Sequence, residues 1–123
     1  MLTMIDLEIS NLQSVAEAFR RVGAPVRVTR RDFADASALI LPGVGAFGPA
    51  ITRLRDLGLV KTLCEWKRPI VGICLGMQLL ADESEELGRH EGLGLIRGRV
   101  VRLQGDRVPN MGWCDVDGIG GGH

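Results

Sequence analysis

The chain has 123 residues, 46% of them hydrophobic, which bounds it to at most one domain with one core that buries roughly two thirds of its unfolded surface. Fifteen basic and fifteen acidic side chains cancel to a net charge of zero, so no overall field draws it to nucleic acid or to an anionic membrane. Three cysteines, Cys64, Cys74 and Cys114, lack Cys-x-x-Cys spacing, which argues against a disulfide framework and a zinc site and fits a reducing, cytoplasmic setting. Residues Met1 to Asp6 carry no basic region followed by a long apolar stretch, and no window reaches about 18 consecutive apolar residues. Neither an export signal nor a membrane span is expected.

In chain order, Leu2 to Ile9 has strand character. Ser10 is the expected N-cap of a helix, with Gln13 at the third helical position completing a capping box. Leu12, Val15, Ala16, Phe19 and Val22 follow at helical spacing, and Gly23 stops the run. Val26 to Thr29 alternates as a short strand, and Ala38 to Leu41 is a fully apolar strand that Pro42 is expected to end. Ile51, Leu54, Leu57 and Leu59 form a helical stripe broken at Gly58. Pro69 to Cys74 is a strand leading into the helical run Met77-Gln78-Leu79-Leu80-Ala81. After Gly92, Leu93 to Ile96 and Arg99 to Leu103, separated by Gly98, look like a small antiparallel extension. Such alternation predicts an α/β fold: a mostly parallel sheet, right-handed crossovers, flanking helices, and ligands at the carboxyl ends of the strands. Residues 1–117 are read as one domain portion and 118–123 as a frayed, glycine-rich tail.

Gly72-Ile73-Cys74-Leu75-Gly76 stands where an apolar strand turns abruptly into a helix. A reactive residue with glycines two positions before and after it is the nucleophile-elbow arrangement, because a Cβ at either glycine would strike the crossing backbone. Cys74 is therefore the candidate nucleophile. A second loop, Pro42 to Gly48, also follows an apolar strand, and its glycines, Gly43 and Gly45 among them, leave backbone N–H groups available to a ligand. Acyl transfer needs two such donors where negative oxygen develops, and the N–H groups of Val44 and Leu75 are the candidates. Taken alone, this loop better suits a plain strand-to-helix turn with no ligand, since glycine-rich loops are common. Cys64, beside Leu63 and Trp66, and Cys114 are read as small hydrophobes, and the run from Asp82 to Glu86 as a solvated face or loop.

With both loops in view the chain resembles the class I, triad-type glutamine amidotransferases, and within them the glutaminase subunits of imidazole glycerol phosphate synthase. The segments that carry the likeness are Asn11 to Val15, Leu41 to Phe47, Gly72 to Leu80, Glu83 to Glu86, Gly92 to Ile96 and Val108 to Trp113. The resemblance implies that Cys74 attacks the side-chain amide of glutamine, giving a glutamyl thioester and ammonia, with Val44 and Leu75 as oxyanion hole. It implies that Gln78 and Glu86 hold the substrate's polar ends, Glu86 suiting an ammonium group, and that no cofactor or metal is needed. It places Asn11 and Trp113 against a cyclase subunit, a (β/α)8 barrel that receives the ammonia for histidine biosynthesis. The same likeness places a general-base His and its Glu in a His-Pro-Glu segment that these residues do not contain. The chain is accordingly read as the amino-terminal part of such a domain, weakly active or inactive by itself. His90 is expected to be solvated and His123 mobile, neither of them a working base. A further departure is Asp6 to Ser10, where the family carries a glycine-containing loop; Glu8 and Ile9 are expected not to take positive φ there. Two alternatives stay open: a non-catalytic module that binds a cyclase-like barrel, and a class I amidotransferase serving another acceptor.

Overall fold

A computed structural model describes residues 1–9, 11–106 and 112–118. Four parallel strands, β1 (Leu2–Ile5), β2 (Val26–Thr29), β3 (Ala38–Gly43) and β4 (Ile70–Cys74), lie in the order β2-β1-β3-β4. Helix α1 (Leu12–Arg21) joins β1 to β2, while α2 (Phe47–Asp56) and α3 (Val60–Cys64) join β3 to β4. These two crossovers run in opposite directions along the sheet. Since a parallel crossover is right-handed, opposite directions put the helices on opposite faces, and the order reverses between β1 and β3. Crevices at such a reversal, beyond the carboxyl ends of the strands, are where open α/β sheets bind ligands.

The core lies mainly on the α2–α3 side. Ile5, Leu39, Leu41, Phe47, Ile51, Leu54, Leu63, Leu75 and Leu79 are buried in one cluster. Met4 and Ile40, one register step along β1 and β3, are also buried but point to the α1 face. That face is thinner: no residue of α1 is fully buried, and Val22, expected in its apolar stripe, is 78% exposed. Ser10 lies outside the described residues; the cap belongs to Asn11, whose side-chain oxygen accepts the Ser14 N–H at 3.4 Å.

Pro42 does not end β3. The strand continues to Gly43, with Pro42 opposite Ile73 and Gly43 opposite Cys74. Its last pair with β1 is Met4 with Ile40, so beyond it β3 has a single neighbour and one missing ladder donor is tolerated. Beyond β4, a single turn of helix, α4 (Leu75–Leu79), leads into a second sheet of β5 (Ala81–Ser84), β6 (His90–Glu91) and β7 (Ile96–Val100), ordered β6-β5-β7. The extension is mixed rather than antiparallel: β5 and β6 run antiparallel, whereas β5 and β7 are parallel. Gly98 lies inside β7 instead of separating two strands. The acidic run is half strand, because Asp82, Glu83 and Ser84 belong to β5.

Glu8 takes the left-handed conformation that its side chain had argued against, at φ 62°. Ion pairs to Arg30 and Arg53 and a hydrogen bond from its own N–H to Asp6 Oδ1 (2.8 Å) hold it there. Cys64 is exposed rather than buried, although its Sγ–H donates to the Leu93 carbonyl at 3.3 Å; Cys114 is exposed as well. No helix among the described residues is long and apolar enough to cross a membrane.

Candidate active site

Cys74 ends β4 and precedes the first residue of α4, at φ 55° and ψ −121°. A non-glycine residue in that region is strained, and the surrounding contacts explain why it stays there. A Cβ on Gly72 would lie 2.5 Å from Met77 Cα, and one on Gly76 would lie 1.7 Å from the Leu41 carbonyl oxygen. The two glycines therefore let β4 fold straight back onto its own helix and let α4 press against β3. Leu75, Gly76 and Leu79 are buried by that packing, while Cys74 itself is left exposed. A thiol held on a sharp turn at the sheet's carboxyl end is open to attack an incoming carbonyl.

Register pairing sets Gly43 beside Cys74, so Val44 is the first residue past β3 next to the elbow. The approach is close: a Cβ on Gly43 would lie 3.3 Å from both Gly76 N and Leu75 Cβ. Gly45 follows at φ 106°. Val44 thus follows the residue paired with Cys74, and Leu75 follows Cys74 itself. Leu75 opens α4, where a helical N–H has no intrahelical acceptor. The Val44 N–H is engaged, donating to the Ile9 carbonyl at 3.2 Å across the crevice between β1 and β3.

Gln78 and Glu86 come together elsewhere. Both line a groove of about 450 Å³ with Glu85, Leu87, Val100, Val101 and Arg102. Cys74 does not line it; the four residues from Cys74 to Gln78 traverse α4, about 6 Å of helical rise. Within the acidic run, Glu83 pairs with Arg89 and Arg99, Glu85 pairs with Arg99, and Asp82 accepts the Gly98 N–H. Glu86 has no ion pair among the described residues, and its N–H donates to the hydroxyl of buried Ser84 at 3.1 Å. Its carboxylate is left to the groove. Ser84 was missed in the sequence, although a Ser two residues before the candidate is the spacing of a local side-chain turn. Arg102, which also lines the groove, had no local signal at all.

The remaining candidates are dispersed. Asn11 is exposed and caps α1; Trp113 is 104% exposed and stands clear of the core. Met111 and the residues before it in the Val108 to Trp113 segment lie outside the described residues, as does His123. His90 is half-buried rather than solvated, its ring tilted over Phe47 at 6.4 Å between centroids, and a Cβ on Gly48 would lie 2.8 Å from its Nε2. It packs on the first turn of α2. Among the described residues no group of His, Cys, Asp and Glu could hold a metal ion.

An elbow cysteine beside a glycine-rich strand end narrows the families that fit, and a sequence profile of the class-I glutamine amidotransferases matches residues 3–114. The chain belongs to that family. This amidotransferase chain is 50% identical over 124 residues to imidazole glycerol phosphate synthase subunit HisH 2 of Parasynechococcus marenigrum, covering 94% of the chain and 58% of that protein. Subunit HisH of Sulfurimonas denitrificans is 44% identical, covering 92% of the chain and 60% of that protein. That of Geobacillus thermodenitrificans is 44% identical over 144 residues, covering all of the chain and 68% of that protein. The chain spans about three fifths of the length of the first two relatives. A crystal structure of a glutamine amidotransferase superposes with a TM-score of 0.69 at 23% identity, over 82% of this chain and 56% of that one, which shows the shared amidotransferase fold.

Proposed function

We propose that this chain carries the nucleophile and the amino-acid groove of a glutaminase subunit of imidazole glycerol phosphate synthase. The strained elbow at Cys74 carries the reading, since a cysteine without a reactive role gains nothing from φ 55° and ψ −121°. The Cys74 sulfur attacks the glutamine side-chain carbonyl carbon, the N–H groups of Val44 and Leu75 receive the developing oxyanion, and the carbon–nitrogen bond breaks to release ammonia. Water then cleaves the thioester to glutamate and returns the thiol. Glu86 holds the substrate ammonium and Gln78 hydrogen-bonds its polar end, both in the groove one turn of helix away. Proton transfer is assigned to no residue here, because residues 1–123 contain no His-Pro-Glu segment. Ammonia passes to a cyclase subunit, a (β/α)8 barrel, docked through Asn11 and Trp113, in the cytoplasm. The identity of 44% to 50% with subunits of that synthase supports this acceptor over others.

The test is covalent capture. A diazoketone analogue of glutamine should add one equivalent of mass to the native chain, glutamine should compete, and Cys74→Ser should abolish the addition. Glu86→Gln should raise about tenfold the glutamine concentration needed to compete, the order of one lost charged hydrogen bond. Labelling that falls on exposed Cys64 or Cys114, or that glutamine does not suppress, would overturn the assignment.

A further inference from the structure

His90 stands where the two parts of the proposed site meet. It is half-buried in β6, with its ring tilted over Phe47 at 6.4 Å between centroids. Phe47 and Gly48 open α2, soon after the Gly43 that pairs with Cys74, and both are buried. Helix α2 also packs on α4, the helix of the elbow. A Cβ on Gly48 would lie 2.8 Å from His90 Nε2 and 2.9 Å from Cε1, so the ring rests on bare helix backbone. Alanine suits a helix better than glycine, and the ring accounts for the glycine at this position. The same Nε2 would lie 3.9 Å from a Cβ on Gly88, in the turn that follows Glu86. Strand pairing sets His90 opposite Ser84, whose hydroxyl accepts the Glu86 N–H at 3.1 Å. His90 therefore joins the β5–β6 hairpin that carries Glu86 to the helix that follows the glycine-rich loop.

We propose that His90 is a positioning residue, a spacer that sets the separation between Glu86 and the elbow and so selects a side-chain amide of glutamine length over the shorter asparagine. The proposal rests on the reading of Glu86 as the ammonium partner and of Cys74 as the nucleophile. An amino acid held at its ammonium and attacked at its amide carbon is measured by the distance between those two anchors. One anchor hangs from the β5–β6 hairpin and the other from the main sheet. The ring is the side chain that keeps the hairpin off α2, because Gly48 offers no side chain of its own. Removing the ring leaves a void into which close-packed surroundings partly collapse, and the hairpin moves toward α2 with Glu86 on it. The shortened span suits asparagine, with one methylene fewer, better than glutamine. One methylene discriminates by about 10–200-fold in a fitted pocket, so a shift of part of a bond length changes the preference by a fraction of that.

The contact is read by a double-mutant cycle in thermal denaturation. Gly48→Ala should lower the Tm of the native chain by about 5 °C, because its Cβ strikes the ring, and should lower it by less than about 1 °C, or raise it, in His90→Ala. Equal losses in both backgrounds would overturn the contact. The spacing is read by competition against diazoketone labelling of Cys74 in the full chain, with glutamine and asparagine as competitors. Native chain should need at least about tenfold more asparagine than glutamine for half suppression, and in His90→Ala that ratio should fall about fivefold. His90→Val, whose branched side chain suits a strand, should shift the ratio the same way, and His90→Phe, which keeps a ring, should retain it. Loss of stability alone raises both concentrations together and leaves their ratio untouched. A ratio unchanged in both His90→Ala and His90→Val would overturn the spacer and leave the glutaminase reading standing. Failure of glutamine to suppress labelling of the native chain would overturn that reading and the spacer with it.

Discussion

A cysteine at φ 55° stores strain of about 1–3 kcal/mol, and burial must offset it. Leu75 and Leu79, each worth roughly 1.5–3 kcal/mol when taken from water, are buried on the turn that follows and lock the elbow. Their packing depends on Gly76, which touches the Leu41 carbonyl where a Cβ would fall at 1.7 Å. Gly76→Ala should cost on the order of 3 kcal/mol or more and remove Cys74 reactivity together with stability. Gly45→Ala meets no atom within 4 Å and strains only its φ of 106°, so it should cost about 1 kcal/mol. Thermal denaturation of the two variants checks the order, and equal losses would mean that α4 does not press on β3. Glu8 obeys the same logic in the open: its strain is offset by charge rather than by burial, which makes it adjustable where Cys74 is not.

Elements contribute unequally to holding the site. Helix α2 buries Phe47, Gly48, Ala50, Ile51 and Leu54 and carries Arg53 to Glu8, whereas α1 buries no residue completely. Leu54→Ala should therefore cost about 3–5 kcal/mol by emptying a filled core position, and Val15→Ala on half-buried α1 less than about 1.5 kcal/mol. Chemical denaturation of both variants measures the difference; comparable losses would place the core on both faces of the sheet. The asymmetry suits α1 for a docking role, since Asn11 and the outer residues of the helix remain in solvent. Sheet β6-β5-β7 shapes the groove proposed for the amino acid instead. Through Ser84 it fixes the backbone of Glu86, and through Arg89 and Arg99 it neutralises the neighbouring carboxylates.

At the scale of the molecule, parallel strands bring three chain-distant loops to one end of the sheet: residues 6–9 after β1, 44–46 after β3, and the elbow after β4. Net charge is zero, so partner choice falls to surface shape and to exposed aromatic area rather than to a long-range field. Trp113, with its whole side chain in solvent, is the best anchor of that kind. Trp113→Ala should leave the Tm of the isolated chain unchanged, because the side chain packs on none of the described residues, and should weaken binding to the proposed cyclase partner about thirtyfold, the size of a typical aromatic hot spot. Calorimetric titration with the cyclase reads the effect; an unaltered Kd would remove Trp113 from the interface.

By itself the sequence determined whatever depends on neighbours along the chain. The elbow was legible because two glycines at fixed offsets answer a clash within one turn, and the parallel sheet because apolar runs alternate with helical periods. Cys74, Gly43 and Gly45 needed nothing more to be found as candidates, and family likeness singled out Gln78 and Glu86. Only the tertiary structure decided how distant segments meet. That Gln78 and Glu86 share a groove apart from Cys74, that β3 runs through Pro42, and that β7 lies parallel to β5 are pairings with no local signature. Glu8 shows why most sharply: its backbone conformation contradicts its own side chain and is set by Arg30 and Arg53, one 22 residues and one 45 residues along the chain. Short-range sterics are written in adjacent residues, whereas charge pairs and strand registers come into being only when the fold brings their partners within reach.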